Sequence, residues 1–375
     1  MSLSKNAFYL LFLLVSTYMT CMNSAHSVEG WKPRSEGVQM LGQTDSEAYR
    51  FTSGYLDNNN ANFQNGIIEF ELKSSPERSF FYVYFRKQSA AESEVVYIRN
   101  HKSNAPDTIQ YSPVYQGRSA WQLYHGESGT ASATLPDKSW VKVKLEIMHS
   151  RLSMWIGDNP EPNIKDMALT GSNKAGGVSF RGFIPRGSAA KQTAVIRNIT
   201  IQHATPLDSV AEKTEQSKPG FISNFKVSPA FAVTSKFSPV IPQKMVAQDW
   251  QPLTTDSHGK LELLRHRKIP QGARAWAVAA DAILNAKRPT ACRLNVGFSD
   301  AITLELNGKT QLFLDASYRY SDRRQQGLMH ASQASVFLNL NEGDNMIRAI
   351  VSDSFGGWGL QAQMIDCEGV SVVLP

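Results

Sequence analysis

The chain has 375 residues, of which 42% are hydrophobic and 19% charged; this is the balance of a folded globular protein, it excludes a disordered one, and the length suffices for two domains. The formal charge of +6 is scattered over Lys142, Lys144, the run 265–268 (RHRK) and Arg323-Arg324. Scatter of this kind is mostly solvated surface, with at most a weak pull toward anionic polysaccharide or an anionic cell surface.

The N-terminus reads as a signal peptide over residues 1–27. Lys5 supplies the positive charge, 8–15 (FYLLFLLV) the apolar core, and Ala25-His26-Ser27 the small residues at a cleavage site near Ser27. The apolar run is shorter than the roughly 20 residues a span requires, and no later stretch could cross a membrane. Tyr18 and Met19 stand where a lipoprotein signal has small residues, so a lipid anchor at Cys21 is the less favoured reading. The expected location is therefore secreted or periplasmic, which argues against nucleic acid as a target. Removal of the leader leaves Cys292 and Cys367, an even pair that in an exported chain reads as a disulfide.

Residues 28–205 read as one domain. Residues 57–62 (DNNNAN) predict a turn-rich loop. Residues 66–72 (GIIEFEL) alternate apolar and acidic side chains, as a half-buried strand does. Residues 78–86 (RSFFYVYFR) predict a central strand and 94–100 (EVVYIRN) the next. Residues 140–149 (WVKVKLEIMH) and 152–156 (LSMWI) form a hairpin; 176–181 (GGVSFR) and 193–202 (TAVIRNITIQ) complete the set. Many short strands separated by turns predict an antiparallel sandwich.

Residues 206–220 are polar, with prolines near both ends, and read as a linker. A second domain, 221–375, opens with an irregular Pro-rich segment. Strands are expected at 260–264, 273–284, 292–297, 301–306, 335–340, 345–352, 358–366 and 370–373, with Asn307-Gly308 making a hairpin turn. No heptad and no helix is predicted. Gly356-Gly357-Trp358-Gly359 precedes a strand and reads as a close backbone approach beside a buried Trp358. The fold class is all-β: two antiparallel sandwiches of jelly-roll type in series.

The richest stretch is 96–126, VYIRNHKSNAPDTIQYSPVYQGRSAWQLYHG, which mixes four tyrosines, a tryptophan, two histidines and two arginines without helical spacing. Aromatic faces interleaved with amides and charges suit a sugar, whose C–H faces stack on rings while its hydroxyls need directional partners. Alternation places Val96 and Ile98 on the core side and Tyr97 and Arg99 on the other. The candidate ligand-binding set is Tyr97, Arg99, Asp107, Gln110, Tyr111, Trp121, Gln122, Tyr124 and His125. A structural ion pair between Arg99 and Asp107 that pins the loop is the competing and compatible reading.

Two local patterns carry a resemblance. NGIIEFEL, the aromatic strand ending in FR, VYIRNH…PDTIQY, WQLYHG, WVKVKLEI and GGVSFRG resemble the concanavalin A-like (laminin-G-like) jelly-roll families of secreted bacterial proteins, across most of 28–205. ITLELNGKTQLF, YRYSDRRQQG, VFLNLNEGDNMIRAIVSD and GGWGLQAQM resemble galactose-binding-like jelly rolls, such as the accessory domains of glycoside hydrolases, over about 250–375. The resemblance implies a secreted, non-catalytic, carbohydrate-binding protein whose partner is a polysaccharide or glycan. Its alternatives are an exported glycoside hydrolase or an enzyme like the 3-keto-disaccharide hydrolases, and an adhesive or structural envelope protein.

Catalytic signals are thin. Glycosidases of this class carry Glu-x-Asp-x-x-Glu on one strand; here Glu69 and Glu71 share a face, but Ser74 stands where the third acid would fall. Asp107 is the remaining weak candidate. No Gly-x-Ser-x-Gly elbow, phosphate loop or dinucleotide fingerprint is present. His101, His125 and Asp107 lack ligand spacing, so no metal site is assigned. A structural calcium, if held, would use Asp57 with Asn58 or Asp158 with Asn159. No cofactor is expected.

Overall fold

The computed structural model describes residues 30–42, 47–126, 129–205, 218–235, 239, 241–242, 249–322 and 325–373, together with the backbone of Cys21–Met22 and His26–Ser27. Most of the expected leader, and the expected linker up to residue 217, lie outside the described residues. Among the described residues no helix is long and apolar enough to cross a membrane.

The fold is all-β and antiparallel. The N-terminal half of the chain builds two facing sheets. The first runs in the order Ile164–Ala168, Arg151–Ile156, Val141–Met148, Gly66–Ser74, Ala194–Thr205, Ala48–Phe51 and Val38–Leu41. The second runs Arg118–Ser119, Val114–Tyr115, Glu92–Arg99, Phe80–Lys87, Gly176–Phe183, Gly54–Phe63 and Lys32–Pro33. Alternation sets which side chains meet between them. Ile68, Phe70 and Leu72 point inward from the first sheet; Leu56, Phe81, Val83, Val96, Ile98 and Phe180 do so from the second. Phe70 and Phe180 lie edge to face at 5.0 Å, and Phe51 and Phe81 at 5.4 Å.

The C-terminal half repeats the arrangement. Its larger sheet runs Gln251–Thr254, Asn224–Val227, Trp276–Ala286, Gly343–Asp353, Ala301–Leu306 and Lys309–Asp315; the smaller runs Lys260–Glu262, Gly359–Ile365, Thr290–Ser299 and Ala334–Leu340. Cys292 and Cys367 form a disulfide with Cα atoms 4.7 Å apart. It ties the strand Thr290–Ser299 to the turn that follows its neighbour Gly359–Ile365.

Two elements differ from the sequence reading. Residues 57–62 are not a loop: they lie within the strand Gly54–Phe63. Asp57 and Asn58 are buried and pair with Ser179 and Val178. The register slips between Gly176 and Val178, so the extra asparagines are absorbed as a bulge, with Asn62 at φ 46°. Long-range pairing overrides the local turn preference. The expected strand 260–264 stops at Glu262 and gives way to a four-residue helix, Leu263–His266, in which Leu263 and Leu264 are buried.

The two sandwiches share one hydrophobic core. A single cluster of buried side chains runs from Val38 to Ala362 and includes Ala120, Leu123 and Tyr124 from the junction. Residues 116–125 form the plug. Gln116 donates to the carbonyls of Leu264 and Arg267 (2.7 and 2.8 Å) and accepts from the amide of Ile269 (2.9 Å). Gln122, fully buried, donates to the Gln326 carbonyl at 2.9 Å and accepts from Ser299 Oγ at 3.0 Å. The expected close approach around Trp358 receives this plug. Gly357 has φ 136°, and a Cβ there would lie 2.6 Å from Leu123 Cδ1. Trp358 is fully buried, its indole N–H donating to the Val351 carbonyl.

Candidate functional site

The outward face of the second N-terminal sheet carries a row of side chains that crosses five strands. Tyr55 pairs with Arg181, Arg181 with Tyr82, Tyr82 with Tyr97 and Tyr97 with Gln110. Directly opposed residues share a face, so register alone brings together positions far apart in the chain. Their neighbours Leu56, Phe180, Val83 and Val96 fill the core, which leaves the row pointing away from it. Tyr55, Tyr82, Tyr84 and Arg181 are half-buried rather than sealed.

The row is a continuous alternation of cations and rings. The Arg34 guanidinium lies 4.0 Å from the Tyr55 ring centre. Arg181 sits 5.0 Å from Tyr55 and 5.3 Å from Tyr82. Tyr82 stacks on Tyr97 at 5.0 Å, and Arg99 covers Tyr97 at 4.8 Å. Each such contact contributes about 0.5–1 kcal/mol where solvent reaches it. Tyr97, Arg99 and Gln110 are buried, so the part of the row that reaches the outside is Tyr55, Arg181, Tyr82 and Tyr84. Burial raises the pKa of Tyr82 and Tyr84, and raises Tyr97 to about 12, so all three remain neutral hydroxyls. Burial alone would lower the pKa of Arg181; the tyrosines around it, Tyr84 first, outweigh that and raise it. Among the described residues Arg181 forms no ion pair with a carboxylate; its hydrogen-bond acceptor is Tyr84 Oη at 3.5 Å.

At its far end the row is closed by the junction. Tyr97 Oη donates to Gln110 Oε1 at 2.6 Å, and Arg99 donates to both Tyr97 Oη and Gln110 Oε1. Gln110 Nε2 in turn donates to the carbonyls of Trp121 and Tyr124. Arg99 also donates to the Asp107 carbonyl at 2.7 Å and approaches its carboxylate at 3.7 Å, while Lys102 Nζ lies 2.6 Å from that carboxylate. Burial would raise Asp107; the Lys102 hydrogen bond and the Arg99 charge prevail and hold it low. Trp121 lies edge-on to Tyr318 (5.8 Å) and Phe355 (6.4 Å), and Tyr320 joins this group with 82% of its surface exposed.

The remaining sequence candidates fall elsewhere. Tyr111 points inward, buried, its hydroxyl donating to the buried Glu94 at 2.6 Å. Tyr124 reaches across the junction to Glu262 at 2.6 Å. Gln122 is spent on the plug contacts, and His125 Nε2 pairs with the Met329 carbonyl at 2.8 Å. Glu69 and Glu71 lie on the other sheet, where Lys142 (3.6 Å) and Arg197 (2.5 Å) pair with them. Asp57, weighed as a calcium ligand, holds Arg34 and Lys87 at 3.0 Å each. Among the described residues no three acids, histidines or cysteines are grouped to hold a metal.

Sequence reasoning does not reach Tyr55, Tyr82, Tyr84 and Arg181. A trace is present: in 78–86 the alternation puts Tyr82 and Tyr84 on one face, and Arg181 alternates with Phe180. Nothing local says that positions 55, 82, 97 and 181 meet.

No protein-family model matches the chain, and no curated protein matches it. Among solved structures it is similar to the carbohydrate-binding module CBM66 from Bacillus subtilis (12% identity, 45% of this chain and 93% of that one, TM-score 0.31). It is also similar to a protein of unknown function with a galectin-like fold from Bacillus subtilis (13%, 50% and 100%, TM-score 0.37) and to the kappa-carrageenase of Pseudoalteromonas carrageenovora (9%, 52% and 100%, TM-score 0.34). At these identities and scores the likenesses carry no weight for function.

Proposed function

We propose that the protein is an exported, non-catalytic carbohydrate-binding protein that recognises a polysaccharide across the row Tyr55–Arg181–Tyr82–Tyr97. The observation that carries this reading is the row itself. Tyr55, Arg181 and Tyr82 stand half-buried on three adjacent strands of the outward face, and the buried Tyr97 and Gln110 close its end, where a solvated sheet face needs only small polar or charged residues. Guanidinium donors and phenol oxygens at regular steps match a ligand dense in hydroxyls, and an arginine without a carboxylate partner has donors to give. The exposed rings of Tyr320 and Phe355 beside Trp121 extend the surface with apolar area for sugar C–H faces. Asp57 and Asp107 are each held between two cations, which suits framing a site better than moving protons. The disulfide fits an oxidising compartment, secreted or periplasmic.

Affinity electrophoresis against a panel of soluble polysaccharides, followed by titration of the best binder, tests this. Tyr82→Ala and Arg181→Ala are each expected to weaken binding at least tenfold while leaving the circular dichroism spectrum unchanged. Binding to no polysaccharide, or wild-type affinity in both variants, overturns the reading.

A further inference from the structure

At the junction, away from the row, lies a cavity of about 220 Å³ whose wall includes Tyr124, Asn163, Thr170, Asp256, His258 and Lys260. Both sandwiches build it. Its volume suits a ligand smaller than a drug molecule, on the scale of one sugar residue.

Lys260 is the unusual member of this wall. Its side chain is only 5% exposed, yet among the described residues its ammonium makes no hydrogen bond. Its contacts are the Tyr124 ring, 4.1 Å from Nζ to the ring centre, and the Asp256 carboxylate, no closer than 4.0 Å. An ammonium carries three donors, and Lys260 lines the cavity, so a ligand there could accept from it.

Several of the polar atoms around it are already engaged. Tyr124 Oη donates to Glu262 and meets Thr170 Oγ1 at 2.8 Å. Asn163 accepts from the Ile156 amide and donates to the Ser132 carbonyl. Asp256 Oδ1 accepts from the amides of His258 and Lys260 at 2.9 and 2.8 Å. Burial lowers the pKa of Lys260 against the pull of Asp256 and Glu262. The wall also carries the Asp166 carboxylate and the Lys165 ammonium, and what sets Lys260 apart on it is an ammonium with no acceptor at hydrogen-bond distance among the described residues.

We propose that this cavity is a second binding site, one that takes the anionic substituent of a sugar, a carboxylate or a sulfate ester, on Lys260 Nζ. The site is separate from the tyrosine–arginine row and does not depend on it. The aromatic face of Tyr124 beside the ammonium supplies an apolar wall for the ring that carries the anion.

Calorimetric titration of the full chain with glucuronate and with glucose 6-sulfate tests the proposal, with glucose and inorganic sulfate as references. The proton resonances of His258 locate the binding at the cavity. At least one of the two anionic sugars is expected to bind saturably, shift the His258 signals, and bind at least tenfold more tightly than glucose or inorganic sulfate. Lys260→Met is expected to remove that preference. Because the variant alters a buried position, Ala131→Leu provides a second arm: it narrows the cavity without touching the charge and is expected to weaken the sugar more than inorganic sulfate. Tyr82→Ala is expected to weaken polysaccharide binding and to leave the His258 shifts induced by the anionic sugar unchanged, so failure of the polysaccharide reading and failure of this one are distinguishable. No saturable binding of either anionic sugar, equal affinity for glucose or inorganic sulfate, or wild-type behaviour in Lys260→Met overturns it.

Discussion

At the scale of single residues, the junction is where charge is held at a cost. Glu262 is buried, one of its carboxylate oxygens has no hydrogen-bond partner, and burial pushes its pKa from 4.5 up to about 7, with the Tyr124 hydrogen bond and Lys260 pulling back. The fold therefore prefers the protonated acid. Below pH 4.5 both folded and unfolded chains are protonated and the contribution is fully present; between 4.5 and 7 only the folded state keeps the proton, so stability falls as pH rises; above 7 it is level. Across that window the loss is about 3 kcal/mol. The histidines His101, His125 and His266 are held low by burial and work in the opposite direction as pH rises toward 6.5. The comparison that isolates Glu262 is thus with Glu262→Gln. Urea unfolding should show the variant gaining on the wild type from pH 4.5 to 7, and a pH-independent difference would refute the assignment. Gln122 carries a different cost. Its replacement by alanine strands the Gln326 carbonyl and Ser299 Oγ and opens a gap over Gly356, so a loss of about 2–4 kcal/mol is expected in the same measurement.

At the scale of elements, the disulfide closes a separation of 75 residues. Chain entropy assigns a loop of that size about 4 kcal/mol, so reduction, or the Cys292→Ala/Cys367→Ala pair, is expected to lower the melting temperature by several degrees. The pairing is legible in the sequence because only two cysteines survive the expected leader. Strands are legible wherever alternation is strict: 66–72 and 140–149 differ from Gly66–Ser74 and Val141–Met148 only at their ends. The strand through Asp57 is not, because three consecutive asparagines carry a turn signal that only pairing with Gly176–Phe183 overrides. The face on which Tyr97 and Arg99 lie follows correctly from period two. The neighbours that make a row of that face do not, because cross-strand register depends on the whole sheet. Tyr111 and Tyr124 look like Tyr97 in sequence, and their inward direction follows from partners at Glu94 and Glu262 that no local pattern connects.

At the scale of the molecule, the continuous core makes the two sandwiches interdependent. Ala120 and Leu123 pack on Gly357, Leu123 also on Gly359, and Tyr124 meets Lys260 and Glu262 of the strand Lys260–Glu262. Thermal unfolding is expected to be one transition, with near-ultraviolet and far-ultraviolet dichroism coinciding. Two resolved transitions would show that the junction is weaker than its contacts imply.

The row from Tyr55 to Gln110 also bears on how affinity depends on ligand size. Its rings follow at 5.0 Å from Tyr82 to Tyr97 and about 6 Å from Tyr84 to Tyr82 and to Tyr55. A polymer lying across the strands would engage these positions as successive subsites, and each contact after the first would form at high effective concentration. Monosaccharides would then bind weakly, affinity would climb with each added unit, and it would level off once the oligomer spans the row. Shortening the row at Tyr55 should bring that plateau to a shorter oligomer, which is a change in valency rather than in fit.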